Sequence, residues 1–258
     1  MNGRQWALIT GASSGLGKEF ARHLAARKIN LVLAARREAP MQELAAELRQ
    51  EHGIEIVVEK LDLSVTDAPL MLQQRLEERG IMPDILINNA AFGLSGEFIT
   101  QDAARLRDML QVDVMSLIEL TRVFGNGMVA RGRGHVLLVA SLAAYQPTPL
   151  LAAYGAAKHF VLAFGEALNV ELSPKVGVTV VSPGLMDTEF FEVSGYQPKA
   201  SLRRSMVAPT RVAELGLKAM FAGKSSVIVG KLNRLAAFSN RFTSRHLQAK
   251  LSYRMAKE

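Results

Sequence analysis

The strongest constraint on the fold is an alternation that runs nearly the whole length of the chain. Short, continuously apolar runs are separated by longer stretches with helical periodicity. The runs are Trp6–Thr10, Asn30–Ala34, Ile54–Lys60, Ile85–Asn88, His135–Ala140, Val176–Ser182 and Ser226–Val229. Most lack the polar–apolar alternation of a strand with one wet face. They read as strands buried on both sides, as in a parallel sheet covered by helices. Between them, Lys18–Arg27 puts Phe20, Leu24 and Ala25 on one face, and Pro40–His52 does the same with Leu44, Ala45 and Leu48. Ala103–Phe124 and Ala157–Leu172 are longer helical stretches. Strand and helix alternating from end to end predict βαβ units and an α/β, doubly wound parallel sheet. No repeat or Pro/Gly-rich linker interrupts the pattern, so residues 1–230 read as one domain and 231–258 as an extension of it. Residues 189–211 are the least regular and are expected to form a long loop, functional or mobile.

Charge narrows the partners. Lys plus Arg is 31 and Asp plus Glu is 24, a net +7. Residues 224–258 hold eight of those cations and one acid, leaving 23 of each for the body. A neutral body has no basic groove, so no nucleic-acid partner is expected. The absence of Cys excludes a disulfide framework, a thiolate metal site and a Cys nucleophile. His23, His52, His135, His159 and His246 show no metal-ligand spacing, so no metal is expected. No apolar run reaches the roughly 18 residues of a membrane span. The start of the chain lacks a signal-peptide pattern, and the cytoplasm is the expected compartment.

The first strand runs into Thr10-Gly11-Ala12-Ser13-Ser14-Gly15-Leu16-Gly17 and a helix follows at once. Glycines there let the backbone turn tightly and approach an anion, and the new helix points free N–H groups at it. This is the position and spacing of a Rossmann-type dinucleotide site, with Gly11, Ser13, Ser14, Gly15, Leu16 and Gly17 around the phosphates. About 20 residues on, where an acid would bind a ribose 2′-hydroxyl, the chain has Arg36 and Arg37. Guanidiniums make forked bonds to phosphate, so NADP(H) is the expected cofactor.

A second cluster is Ser141, followed thirteen residues later by Tyr154-Gly155-Ala156-Ala157-Lys158. Tyr and Lys four apart share a helix face. A Tyr has a pKa near about 10, and an ammonium beside it favours the phenolate and lowers that value. Such a Tyr can give and take protons.

Together these pieces resemble the short-chain dehydrogenase/reductase family over about residues 5–190. The family's other marks follow in order: Leu61-Asp62-Leu63, Asn88-Asn89-Ala90, and Pro183-Gly184-Leu185-Met186-Asp187-Thr188. The resemblance implies an NADP(H)-dependent interconversion of a carbonyl and an alcohol. Tyr154 is then the proton donor, Ser141 binds the substrate oxygen, and Lys158 lowers the Tyr154 pKa and holds the nicotinamide ribose. Asp62 and Leu63 meet the adenine, Asn89 and Ala90 the ribose, and Pro183, Gly184, Met186 and Thr188 the nicotinamide end. Phe190, Phe191 and Tyr196 fall where the family has its substrate lid and can line an apolar pocket for a small carbonyl substrate. Two positions depart from the family. Ala91 replaces a glycine, which matters only if the backbone there needs positive φ. Asp113 stands where the family carries an Asn supporting a water-mediated proton path to Lys158. If the backbone carbonyl serves there, Asp can substitute. An ionised carboxylate near Lys158 would raise the Lys pKa and weaken its effect on Tyr154, so Asp113→Asn is expected to keep or raise turnover.

The basic tail is the least family-like part. Leu232, Leu235, Phe238, Phe242, Leu247, Leu251 and Met255 recur at helical spacing with cations between, and Thr243 or Ser244 can cap a second helix. Such a segment can lie on an anionic membrane surface, or pack its apolar face on the body or on a partner subunit. A homo-oligomer, dimer or tetramer, is expected. Two rival functions remain: an NADP-binding sensor or scaffold without turnover, and a membrane- or partner-docking protein acting through its tail.

Overall fold

In the computed structural model, residues 5–198, 203 and 206–257 are described, without the side chains of Met255 and Lys257. Part of the irregular stretch, including Ser201 and Ser205, lies outside the described residues.

The predicted strands all form. They are β1 (Trp6–Thr10), β2 (Asn30–Ala35), β3 (Ile56–Lys60), β4 (Ile85–Asn88), β5 (His135–Val139), β6 (Gly177–Ser182) and β7 (Ser226–Ile228). Among the described residues they make one sheet in the order β3-β2-β1-β4-β5-β6-β7, every pairing parallel. Alternate residues feed two cores. Ala7 and Ile9 of β1 join the core built by α1 (Gly15–Ala25) and α2 (Glu38–His52), while Leu8 joins the one built by α3 (Ala68–Glu78) and residues 117–128. This two-sided burial is why the strands are continuously apolar in sequence. The strand order reverses between β1 and β4, which opens a crevice at their carboxyl ends.

Three differences from the sequence expectation matter. The helix expected from Lys18 begins at Gly15, because the glycine turn is itself the first turn of α1. The helix expected over Ala103–Phe124 divides into α4 (Ala103–Leu110), a π-helical turn (Gln111–Ser116) and α5 (Leu117–Arg131). A π turn inserts a residue without ending the apolar stripe, so periodicity alone does not expose it; such turns cluster at functional sites. Three helices had no counterpart in the sequence reading: Ala68–Glu78 (α3), with Pro69 in its first turn, and Phe190–Ser194 and Pro209–Phe221, which fall in or begin within the stretch 189–211 expected to be a loop. Proline is tolerated in a first helical turn because the N–H it lacks has no partner there.

The helix carrying Tyr154 and Lys158 is α6 (Ala152–Leu172). After it come α7 (Phe190–Ser194), α8 (Pro209–Phe221), and two tail helices, α9 (Lys231–Ser239) and α10 (Arg245–Lys257). Ser244 Oγ accepts a bond from Leu247 N at 3.3 Å, the expected cap of the last helix. Among the described residues no helix is long and apolar enough to cross a membrane.

Candidate active site

Only Gly11–Ser14 connects β1 to α1. Gly11 (φ +67°) and Gly15 (φ +49°) are in the left-handed region that glycine enters without strain. A Cβ at Gly11 would lie 2.8 Å from Asn89 Nδ2, and one at Gly17 2.2 Å from the Gly11 carbonyl oxygen. The first glycine therefore makes the turn and the last brings helix against strand. Ser14 makes no side-chain capping bond, so its side chain satisfies none of the first-turn N–H groups of α1. The β4 end is stitched to this turn. Thr10 Oγ1 accepts from Asn89 N and Ala90 N, both at 3.0 Å, and Asn89 Nδ2 donates to Thr10 O at 2.9 Å.

The opposite wall begins just after β5. Ala140 N donates to Val181 O (2.9 Å) and Leu142 N to Pro183 O (2.7 Å), so Ser141 is held beside the Pro183 turn. Tyr154 and Lys158 sit one helical turn apart on α6, with Lys158 Nζ 5.5 Å from the Tyr154 ring centre. Lys158 Nζ also donates to Val139 O at 3.3 Å. Behind it, the π turn presents Asp113. Its Oδ2 is 3.1 Å from Lys158 Nζ, and its Oδ1 accepts from Phe92 N at 3.0 Å. Oδ2 has no aligned hydrogen bond and relies on the charge of the ammonium.

Turn and wall face each other across a cleft of about 710 Å³ lined by Gly11, Ser13, Ser14, Gly15, Leu16, Arg36, Arg37, Asp62, Leu63, Asn89, Ala90, Ser141, Tyr154, Lys158, Pro183, Gly184, Met186 and Thr188. A glycine cradle, a helix terminus without a side-chain cap and the cleft-lining Arg36 and Arg37 fit a dinucleotide phosphate chain.

The short chain dehydrogenase model matches residues 5–198. The chain belongs to the short-chain dehydrogenase family. It is 37% identical over 196 residues to a very-long-chain 3-oxoacyl-CoA reductase of Pyrenophora tritici-repentis, a match covering 73% of this chain and 57% of that protein. The chain thus aligns with little more than half the length of that curated relative. A short-chain dehydrogenase from Sphingobium yanoikuyae in complex with NADPH superposes with a TM-score of 0.81 at 29% identity, covering 92% of this chain and 93% of the other. One from Burkholderia phymatum in complex with NAD superposes with a TM-score of 0.81 at 26% identity, covering 96% and 95%. Both dinucleotides therefore occur among the neighbours of this short-chain dehydrogenase.

Two of the expected site residues do not line the cleft. Gly17 lies behind the turn, and Asp113 is fully buried behind Lys158. Ala91 lines the cleft without positive φ, so the missing glycine causes no strain there. Asp62 accepts bonds from Ser64 N (3.0 Å) and Ser64 Oγ (2.8 Å), which fix its carboxylate. Arg37 Nη2 lies 2.6 Å from Glu189 Oε2 and 3.4 Å from Ser13 Oγ. Glu189 was not expected in the site; an acid adjoining the Pro183–Thr188 motif was its only sequence signal. Phe190, Phe191 and Tyr196 all line the cleft, and the Phe190 and Tyr154 rings lie 5.2 Å apart. Sequence reasoning also missed Arg105, Gln146 and Thr148, and Ser252 and Ala256 of α10. Among the described residues no group of three or more His, Asp or Glu is placed to hold a metal.

Electrostatics bears out the pull of Lys158 on Tyr154 but adds a larger, opposing one. Lys158 does pull the Tyr154 phenol down, but burial pushes it up by more, and Asp113 adds to the rise. The phenol is held above its ordinary value, in the protonated form that donates. The Lys158 ammonium stays above its usual value because Asp113 and Tyr154 outweigh the cost of its own burial. Burial raises the Asp113 carboxyl against the pull of Lys158.

Proposed function

We propose that this chain is an NADP(H)-dependent reductase of apolar carbonyl compounds acting in the cytoplasm. The observation that carries the reading is the convergence of Ser141, Tyr154 and Lys158 on the cleft that the Gly11–Ser14 turn opens. A bound nicotinamide dinucleotide supplies the hydride equivalent. The phosphates rest on the N–H groups at the start of α1, and Arg36 and Arg37 take the 2′-phosphate. Ser141 donates a hydrogen bond to the substrate oxygen and stabilises charge growing there. Tyr154 delivers its phenolic proton to that oxygen, and Lys158 stabilises the phenolate left behind. Asp113 touches no reacting atom; it positions Lys158 and keeps it charged.

A phenol held above its ordinary value sets the pH range in which each direction runs. Carbonyl reduction uses the protonated form, so its rate stays flat through neutral pH and declines only on the alkaline side. Alcohol oxidation uses the phenolate and rises there. The substrate end carries Phe191, Val193 and Tyr196, and the Pyrenophora relative is named for a fatty acyl substrate. Both favour a long apolar carbonyl compound.

The test is NADPH oxidation against aldehydes, ketones and 3-oxoacyl thioesters. Wild-type turnover on at least one is expected, with Tyr154→Phe slower by roughly a hundredfold to ten-thousandfold. NADPH binding without turnover on any of them would return the chain to the sensor or scaffold reading.

A further inference from the structure

The tail does not pack as its apolar pattern suggests. Its attachments to the body are polar and small. Asn240 Nδ2 donates to Tyr145 O (3.3 Å) and Gln146 Oε1 (3.2 Å), next to Ser141. Asn233 presses on Gly184, where an added Cβ would meet its Nδ2 at 2.4 Å. Ala237 is buried. Buried Gln248 locks the two helices together by donating to Asn240 O (2.6 Å) and Thr243 O (2.9 Å). The large apolar side chains point outward: Leu232 is 73% exposed, Leu235 64%, Phe238 53%, Phe242 76%, Leu247 46% and Leu251 49%. Among them stand exposed Lys and Arg side chains from Lys231 to Arg254, and the sequence has no acid between residues 231 and 257.

The two helices are therefore tied to the Tyr145–Gln146 loop while their large apolar and cationic side chains are exposed. A second copy of the chain is a poor occupant, because a two-fold contact would set cations against cations with no counter-charge. A soluble polyanion uses the cations and leaves the Leu and Phe side chains in water. An anionic bilayer surface takes both kinds of side chain. On the far side of α10, Ser252 and Ala256 line the active-site cleft.

We propose that α9 and α10 dock the protein on an anionic lipid surface, and that α10 is the wall through which the cleft opens toward that surface. The substrate is then a lipid-tailed carbonyl compound drawn from the bilayer. That second half rests on the reductase reading; the docking does not.

The test is flotation of the full chain with vesicles of phosphatidylcholine alone and of phosphatidylcholine with phosphatidylserine. At least tenfold stronger partition to the phosphatidylserine vesicles is expected. The double variant Leu235→Glu/Phe242→Glu is expected to lose at least tenfold of it while keeping wild-type turnover of a water-soluble ketone, which also reports its folding. No partition, or equal partition of the variant, overturns the proposal. So does a dimer in sedimentation that the same variant dissolves, or heparin binding that survives the variant without vesicle binding. Ketone turnover without vesicle binding removes the docking and leaves the reductase. Vesicle binding without turnover of any carbonyl removes the reductase and leaves the docking.

Discussion

Two ion pairs bracket the cleft, and they do not rank by distance. Arg37–Glu189 is the shorter at 2.6 Å, yet its side chains are 51% and 47% exposed. Lys158–Asp113 is longer at 3.1 Å, with side chains 3% and 0% exposed. Water screens the first, and such pairs contribute about 0–1 kcal/mol. The second has no water to replace a lost partner, so removing one member costs about 3–5 kcal/mol. The wall that carries Tyr154 and Lys158 is built on a charge pair that must stay together. The Gly11–Ser14 side of the cleft carries one that water already loosens, and under the proposed function it opens when a phosphate arrives.

The sharpest way to break this comparison is Asp113→Ala. It strands the Lys158 ammonium beside Tyr154, and the melting temperature is expected to fall by roughly 10 °C. Asp113→Asn keeps the acceptor for Phe92 N and should cost less stability. It also removes a negative charge that helps raise the Tyr154 phenol. The alkaline decline of carbonyl reduction should then move to lower pH, a change that a purely structural Asp113 would not produce. If both variants melt within about 2 °C of wild type, the buried pair is no more binding than the exposed one. The direct carboxylate–ammonium contact bears out the expectation that a carboxylate here would raise the Lys158 pKa, and turnover of Asp113→Asn is the measurement that says whether the carboxylate itself is used.

What was legible in the sequence was local. Strands buried on both faces announce themselves as apolar runs, and glycines forced by positive φ or close approach stand at fixed spacing. Tyr154 and Lys158 share a face by helix geometry alone. The cradle at Gly11–Gly17 and the order of motifs therefore needed no coordinates. Asp113 was legible as a departure, but its action was not. That depends on a π turn that periodicity does not reveal and on depth behind Lys158. Glu189 and Arg37 are 152 residues apart, and only the fold brings them together. The tail was legible as amphipathic, yet its polar residues face the body and its leucines do not. Hydrophobic patterning says which side chains share a face and not what that face meets.

Arg37→Ala tests the exchangeable pair from the arginine side. Charge-assisted bonds to a phosphate contribute about 1.5–3 kcal/mol, so NADPH affinity is expected to fall roughly tenfold to a hundredfold while NADH affinity hardly moves. Tryptophan or cofactor fluorescence titration checks it. Equal losses for both cofactors would mean that Arg37 supports the turn through Ser13 and does not read the 2′-phosphate.

Glu189→Gln approaches the same pair from the other side and should give the smallest effect. If Arg37 takes the 2′-phosphate as proposed, Glu189 competes for the same guanidinium, and removing its charge releases a competitor worth at most about 1 kcal/mol. NADPH is then expected to bind up to roughly fivefold tighter, with NADH unchanged. Arg37 holds the Glu189 carboxyl below its ordinary value. The competition is present above that lowered value and is lost as pH falls through it, so wild type and variant should converge in acid. Salt screens an exposed pair, and the gain should shrink in high salt as well. Weaker NADPH binding by the variant would reverse the interpretation, because Glu189 would then be aiming Arg37 at the phosphate and both ion pairs would be positioning devices.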